Sequence, residues 1–216
     1  LNFKGSTLYV TLEPCSHYGL TPPCTNIIKN KKIKDVYYCY NDPDLRSHKK
    51  AKIKLSKKNI KIKKIESKEN DFYKSYFLNK KNKIPLIDAK FAVSKDNYSI
   101  DKRSKWITNE RSRKIAHLLR SRYDSIISTA KSINKDNSLL NCRINGFDNN
   151  KPDVIIVDRN LRLKKKLKMF KLNNRKIYIL TSSNNKKKIS YFKKNKIKII
   201  KISKLVTRDD FNSIFK

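Results

Sequence analysis

Near the start of the chain, the residues best suited to chemistry are Glu13-Pro14-Cys15-Ser16-His17 and Thr21-Pro22-Pro23-Cys24. Two thiolates, one leaving a strand end and one entering a helix N-terminus, can share a zinc ion. The metal and the helix dipole both favour deprotonated sulfur. Eight residues separate the cysteines, more than the C-x-x-C spacing of most zinc deaminases. Spacing alone therefore leaves two readings open, a shared metal ion or two buried free thiols. Elsewhere the chain offers isolated residues such as Trp106, Arg120 and Arg143. Singly, each has a structural reading: a lone Trp commonly packs in a core, and an Arg in a charged helix is commonly solvated.

These residues need elements to hold them. Ser6 to Leu12 is β-branched and aromatic and reads as a strand ending at Glu13-Pro14. Pro22-Pro23 opens a short helix reaching about Lys32. Asp35 to Tyr40 is a second strand, Asn41-Asp42-Pro43-Asp44 a turn, Ser47 to Lys58 a helix and Ile60 to Ile65 a third strand. Residues 66–83 read as a linking helix that ends before Pro85. A second series follows, with a strand over Leu86 to Val93 and a helix over Asn109 to Tyr123 capped by Asn109 or Thr108. Ser125 to Thr129, Val154 to Asp158, Ile177 to Thr181 and Ile197 to Ile202 are further strands. A Lys-rich helix precedes the last of these, and another helix begins at Asp209. Such alternation predicts an α/β layer structure on largely parallel sheets.

At 216 residues the chain allows one large domain or two small ones. Its net charge of +36 would suit a nucleic acid or an anionic membrane. The texture of the charge argues otherwise. Arg is scarce beside Lys, Asn is abundant, and Lys reaches even strand faces such as Ile60-Lys61-Ile62-Lys63. A nucleic-acid site concentrates Arg and interleaves aromatics on one face, whereas AT-rich codon bias spreads Lys and Asn everywhere. Four cysteines without a disulfide-like pattern, no secretory segment and no apolar run near ~18 residues predict a reduced, cytoplasmic protein with no membrane partner. Residue 1 is Leu and opens directly into strand-like sequence, so the expectation is a lost N-terminus.

The run Thr11-Leu12-Glu13-Pro14-Cys15-Ser16-His17-Tyr18-Gly19-Leu20-Thr21-Pro22-Pro23-Cys24 resembles the zinc-site segment of the riboflavin-pathway pyrimidine deaminase. That family has the cytidine-deaminase fold and carries its second cysteine at this longer spacing. The resemblance implies Cys15 and Cys24 as Zn2+ ligands. It also implies a third ligand and a proton-shuttling Glu in a His-x-Glu motif N-terminal to this strand, which residues 1–216 do not contain. His17 matches a His that the family does not use as ligand. Asp42-Pro43 matches a turn at the pocket edge. Leu45-Arg46-Ser47-His48-Lys49-Lys50 departs from a Gly-containing loop, and His48 reads as a surface residue.

Beyond residue 84 the resemblance continues into the dihydrofolate-reductase-like reductase domain of the same bifunctional family. It rests on Lys90-Phe91-Ala92-Val93-Ser94-Lys95-Asp96, Ser104-Lys105-Trp106-Ile107-Thr108, His117-Leu118-Leu119-Arg120 and the loop from Ser132 to Arg143. Asn97 stands where Gly is usual, and Asn tolerates left-handed backbone. By resemblance, NADPH delivers hydride to the open-chain aldehyde carbon of a ribose 5-phosphate, giving a ribityl chain. Arg120 and Arg143 then bind the phosphate as bidentate forks, with Ser104 and Leu140 beside them. Ala92, Trp106, Ser132, Asp136 and Arg159 fall at cofactor-contacting positions, Arg159 where a small hydroxyl residue is usual. Lys90 or Asp136 is the candidate assistant to hydride transfer, which otherwise rests on positioning. The Glu and Gly-rich turn that close over NADPH in the family lie beyond residue 216, and the chain has only 3 Gly from which to build another phosphate loop.

The resemblance implies that residues 1–65 are the C-terminal part of a zinc deaminase domain, 66–83 a linking helix and 84–216 the N-terminal part of a reductase domain. It implies two consecutive reactions on a phosphoribosyl pyrimidine, hydrolytic deamination and then ribosyl reduction, and relatives that are commonly homo-oligomeric. Three alternatives stand beside it: a deaminase acting on nucleic acid or free nucleosides, a remnant that binds phosphoribosyl pyrimidines without turnover, and a basic RNA-binding protein.

Overall fold

The structure is a computed structural model that describes residues 2–67, 71–99, 106–147, 151–202, 207–212 and 214. The chain divides into two compact units, the first ending at Ile87 and the second starting at Asp88.

The first unit runs β1 (Thr7–Leu12), α1 (Cys24–Asn30), β2 (Asp35–Tyr40), α2 (Lys50–Ser56), β3 (Lys61–Lys64) and α3 (Lys74–Asn82). Its sheet has the order β1-β2-β3 and is parallel throughout, with Val10 opposite Tyr38 and Val36 opposite Ile62. Short helices return the chain between neighbouring parallel strands. Ile28, Val36, Leu55 and Ile60 bury together against Leu8, Ile33 and Ile62, so the helices cover one face of the sheet. On the other face Tyr9 stacks on Tyr37 with ring centroids 5.1 Å apart. The expected linking helix over residues 66–83 begins only at Lys74, after a turn at Asp71–Tyr73.

The second unit runs α4 (Glu110–Arg122), β4 (Ser125–Thr129), α5 (Ala130–Asp136), β5 (Asp153–Val157), a 3-10 turn (Lys168–Lys171), β6 (Ile177–Thr181), α6 (Lys186–Lys194), β7 (Lys198–Lys201) and α7 (Arg208–Asn212). Its sheet order is β4-β5-β6-β7, again all parallel. Val154 and Ile156 of β5 and Ile177 and Ile179 of β6 point to one face, where they meet Ile133, Met169 and Phe192 in the main core. Helices α4, α5 and α6 start on side-chain caps, since Asn109, Thr129 and Asn185 accept from the amides of Ser112, Ser132 and Lys188, and the Thr207 hydroxyl likewise accepts from the Asp210 amide at the start of α7.

Two expectations need correction. Leu86 to Val93 is irregular rather than a strand, because Ile87, Phe91 and Val93 stay exposed and no neighbouring strand pairs with it among the described residues. The stretch from Ser132 to Arg143 is not all loop. Thr129 caps a helical turn that places Ser132 and Asp136 on α5, and only the remainder is irregular.

Candidate functional site

In the first unit, β1 delivers Glu13 to the sheet edge, where it is buried. Its Oε2 accepts from the amides of Asp42 (3.2 Å) and Lys49 (2.9 Å), and its Oε1 from Ala51 (3.2 Å). Three backbone donors make this carboxylate a clamp between the end of β1, the turn after β2 and the start of α2. The clamp fixes the chain just before Cys15. The Cys24 amide donates to Cys15 Sγ at 3.1 Å, and the Thr25 amide donates to the Cys15 carbonyl at 3.2 Å, so the cysteines sit side by side as free thiols. Burial, then the neighbouring Cys15 sulfur, pushes the Cys24 thiol up.

His17 does not join them. Its Nδ1 lies 2.8 Å from Ser47 Oγ, which also accepts from the Ser16 amide. His48 is half-buried rather than a free surface residue, with Nδ1 2.7 Å from the Asp42 carbonyl. Among the described residues no group of three or more His, Cys, Asp or Glu is arranged to hold a metal ion. Cys15 and Cys24 therefore match zinc in donor type but amount to two ligands of a tetrahedral set.

The second unit holds a cationic cluster where α4 faces the chain that follows α5. Arg120 Nη1 donates to the Asn141 carbonyl (3.3 Å), and His117 Nδ1 lies 3.1 Å from the same oxygen. Arg143 Nη2 lies 3.1 Å from His117 Nε2. Leu140 has a left-handed backbone (φ 50°), and its carbonyl accepts from Arg175 Nη1 at 3.2 Å. Asn141 is buried, and its Oδ1 has no partner among the described residues. A strained residue and an orphaned acceptor beside paired guanidinium groups are typical of a ligand site. Burial and the nearby Arg143 charge weaken Arg120's hold on its proton, and no carboxylate ion-pairs with Arg120 or Arg143 among the described residues. The segment can therefore accept an anion.

Other candidates gather at the carboxyl ends of the strands, where ligands of open α/β sheets bind. Ser132 follows β4; its amide donates to Thr129 Oγ1 (3.3 Å), and its hydroxyl oxygen accepts from the Thr129 hydroxyl (3.2 Å). Arg159 follows β5 and is exposed. Its carbonyl accepts from the Thr181 hydroxyl (2.9 Å) and the Ser182 amide (3.1 Å) beyond β6. Asp136 is exposed one turn past Ser132. Trp106 is 55% exposed, so it is not a core residue; the Arg113 guanidinium lies 4.7 Å from its ring centroid. Ala92 is half-buried and Lys90 exposed on irregular chain. Asn97 takes the left-handed backbone (φ 65°) of the turn that Ser94 closes with Tyr98. Ser104 lies outside the described residues. The phosphate candidates Arg120, Leu140 and Arg143 thus come together, while Ser132 and Arg159 follow the neighbouring strands β4 and β5 and bond separately, to Thr129 and to Thr181 and Ser182.

Sequence reasoning passed over two residues. His117 was legible only as a neighbour of Arg120 in the pattern, although its three-residue spacing puts it on the same helix face. Glu13 was read as part of a motif and not as a clamp, because its partners are backbone amides of residues far along the chain.

Residues 85–210 match the family described as the RibD C-terminal domain. The riboflavin biosynthesis protein RibD of Aquifex aeolicus is 32% identical over 188 residues, covering 85% of this chain and 52% of that protein. RibD of Buchnera aphidicola subsp. Baizongia pistaciae is 30% identical over 236 residues, covering 98% of this chain and 63% of that protein. The chain therefore spans between half and two thirds of these relatives' length. A crystal structure of a diaminohydroxyphosphoribosylaminopyrimidine deaminase/5-amino-6-(5-phosphoribosylamino)uracil reductase from Thermotoga maritima is similar over 100% of this chain and 59% of its own. Its TM-score is 0.79 at 28% identity. With more than half of its residues inside one family match and the same parallel α/β fold in a relative of known structure, the chain belongs to the RibD C-terminal domain family.

Proposed function

We propose that residues 84–216 form part of a reductase that uses NADPH to convert the ribosyl group of 5-amino-6-(5-phosphoribosylamino)uracil to a ribityl chain. The observation that carries this reading is the convergence of Arg120 and Arg143 without a carboxylate partner. A dianionic sugar phosphate supplies the missing charge, and two guanidinium groups bind it in a defined orientation. Ser104, through its hydroxyl, and Leu140, through a backbone or packing contact, are further proposed substrate-binding residues. NADPH, when bound, supplies the hydride. Ala92, Trp106, Ser132, Asp136 and Arg159 are the chain's proposed contacts to it, with Arg159 available to one of its phosphates. Trp106 offers a flat apolar face, and Ser132 a hydroxyl at the mouth of the sheet. The chain's own contribution is then to hold the ribose carbon against the donor, so catalysis rests on positioning. Lys90 or Asp136 is the proposed assistant to hydride transfer.

The test is NADPH consumption by the full-length enzyme that contains these residues, with this substrate and with the ribityl product identified by mass spectrometry. Stoichiometric consumption supports the reading, and none removes it.

For residues 1–65 we propose part of a zinc-dependent deaminase domain of cytidine-deaminase type, joined through residues 66–83. The adjacent Cys15 and Cys24 thiols support this, and no reaction step is assigned to a metal. Metal analysis checks it: zinc that copurifies with wild-type protein should be lost from Cys24→Ala, and equal zinc in both would remove the assignment.

A further inference from the structure

The Arg120–Arg143 pair poses an electrostatic problem, since two guanidinium groups brought together repel before any anion arrives. Arg120 is held by its own burial and by the Asn141 carbonyl. Arg143 is exposed on irregular chain, and its guanidinium reaches the cluster through Nη2 at 3.1 Å from His117 Nε2. A guanidinium only donates, so Nε2 is the acceptor and carries no proton. The ring proton of a neutral imidazole then lies on Nδ1, with the Asn141 carbonyl 3.1 Å away to receive it. Arg120 Nη1, 3.3 Å from Nδ1, turns its proton to that same carbonyl. The Nδ1–H tautomer satisfies the Asn141 and Arg143 contacts, and it leaves Arg120 Nη1 and Nδ1 as two donors that share the Asn141 carbonyl.

Protonation at Nε2 would set a donor against Arg143 and add a third positive charge. The groups facing the ring are Arg120 on α4 and, from the chain after α5, Arg143 and the Asn141 carbonyl; the buried Cys142 interacts with Arg120. Burial first, then the Arg120 and Arg143 charges, push His117 below the ordinary imidazole value.

We propose that His117, held as the neutral Nδ1–H tautomer, is a positioning residue that seats Arg143 beside Arg120, so that a sugar phosphate meets a pair already assembled. This rests on the phosphate reading above. His117 does not touch the phosphate; it orients a residue that does.

The test is calorimetric binding of ribose 5-phosphate to the whole chain, between roughly pH 5 and pH 8, for wild type, His117→Gln and His117→Asn. A Gln amide oxygen reaches the Nε2 position and can accept from Arg143. An Asn amide reaches only the Nδ1 position and offers Arg143 nothing. Near neutral pH the Gln variant is expected within about threefold of wild type, and the Asn variant about tenfold or more weaker, as loss of one charged hydrogen bond implies. On acidification both wild type and Gln weaken as the phosphate takes up a proton, but wild type weakens more. Nitrogen NMR of the imidazole should find Nδ1 protonated and Nε2 bare at neutral pH. A wild type that gains on Gln in acid would overturn the proposal, because His117 would then be an imidazolium binding phosphate directly. So would Asn binding as well as wild type, or a proton found on Nε2. Absence of ribose 5-phosphate binding by wild type would defeat the phosphate reading itself. Binding that needs Arg120 and Arg143 but ignores His117 defeats only this inference.

Discussion

At the residue scale, the second unit turns on charge without a counter-charge. Arg120 lies half under the surface with the Asn141 carbonyl as its partner, and Arg143 reaches out from the same segment. Replacing either with Ala removes a charge-assisted contact to phosphate worth about 1.5–3 kcal/mol, so kcat/KM should fall by about 10- to 100-fold. Arg120→Lys should recover only part of this, since a point charge cannot reproduce a fork. Steady-state kinetics on the three variants is the check. Arg120, Leu140 and Arg143 are legible through the resemblance to the reductase domain, since singly each reads as structural, and the structure brings them to one region. His117 is not legible in this way, because its role is set by Asn141 and Arg143, which lie across a helix and a turn from it.

At the element scale, the strands Asp35–Tyr40, Ser125–Thr129 and Ile177–Thr181 have the expected bounds, and those expected at Ser6 to Leu12 and Val154 to Asp158 differ by one residue, at one end and at both ends respectively. The misses share a cause. Leu86 to Val93 has strand composition, but pairing makes a strand, and none reaches it among the described residues. Helix α5 is short and polar, so its only local signal was the Thr129 cap. The Glu13 clamp is the matching case in the first unit, a long-range contact no window reveals. Glu13→Gln would turn an amide NH2 toward a backbone donor and leave a buried N–H unsatisfied. It is expected to lower stability by about 1–3 kcal/mol and to loosen the Cys15 turn. Thermal unfolding with a Glu13→Asp comparison measures it; an unchanged Tm in Glu13→Gln would show that the clamp holds nothing.

At the scale of the whole molecule, the +36 charge is spread along the sequence of both units, with Lys61 and Lys64 on β3 and Lys198 and Lys201 on β7. Such a field attracts an anionic substrate over about a Debye length, so kcat/KM for the phosphorylated substrate should fall several-fold between roughly 50 and 200 mM salt while kcat stays level. A kcat that falls equally would place the salt effect on folding or chemistry instead. Substrate selection rests on a phosphate being read by the Arg120–Arg143 pair, and the most direct measurement removes that phosphate. NADPH-dependent reduction should be compared for the phosphorylated substrate and its dephosphorylated counterpart, in wild type and in the Arg120→Ala/Arg143→Ala double variant. The prediction is a loss of at least about 100-fold in kcat/KM on dephosphorylation in wild type and little discrimination in the variant. Equal use of both substrates by wild type, or full discrimination surviving in the variant, would contradict it.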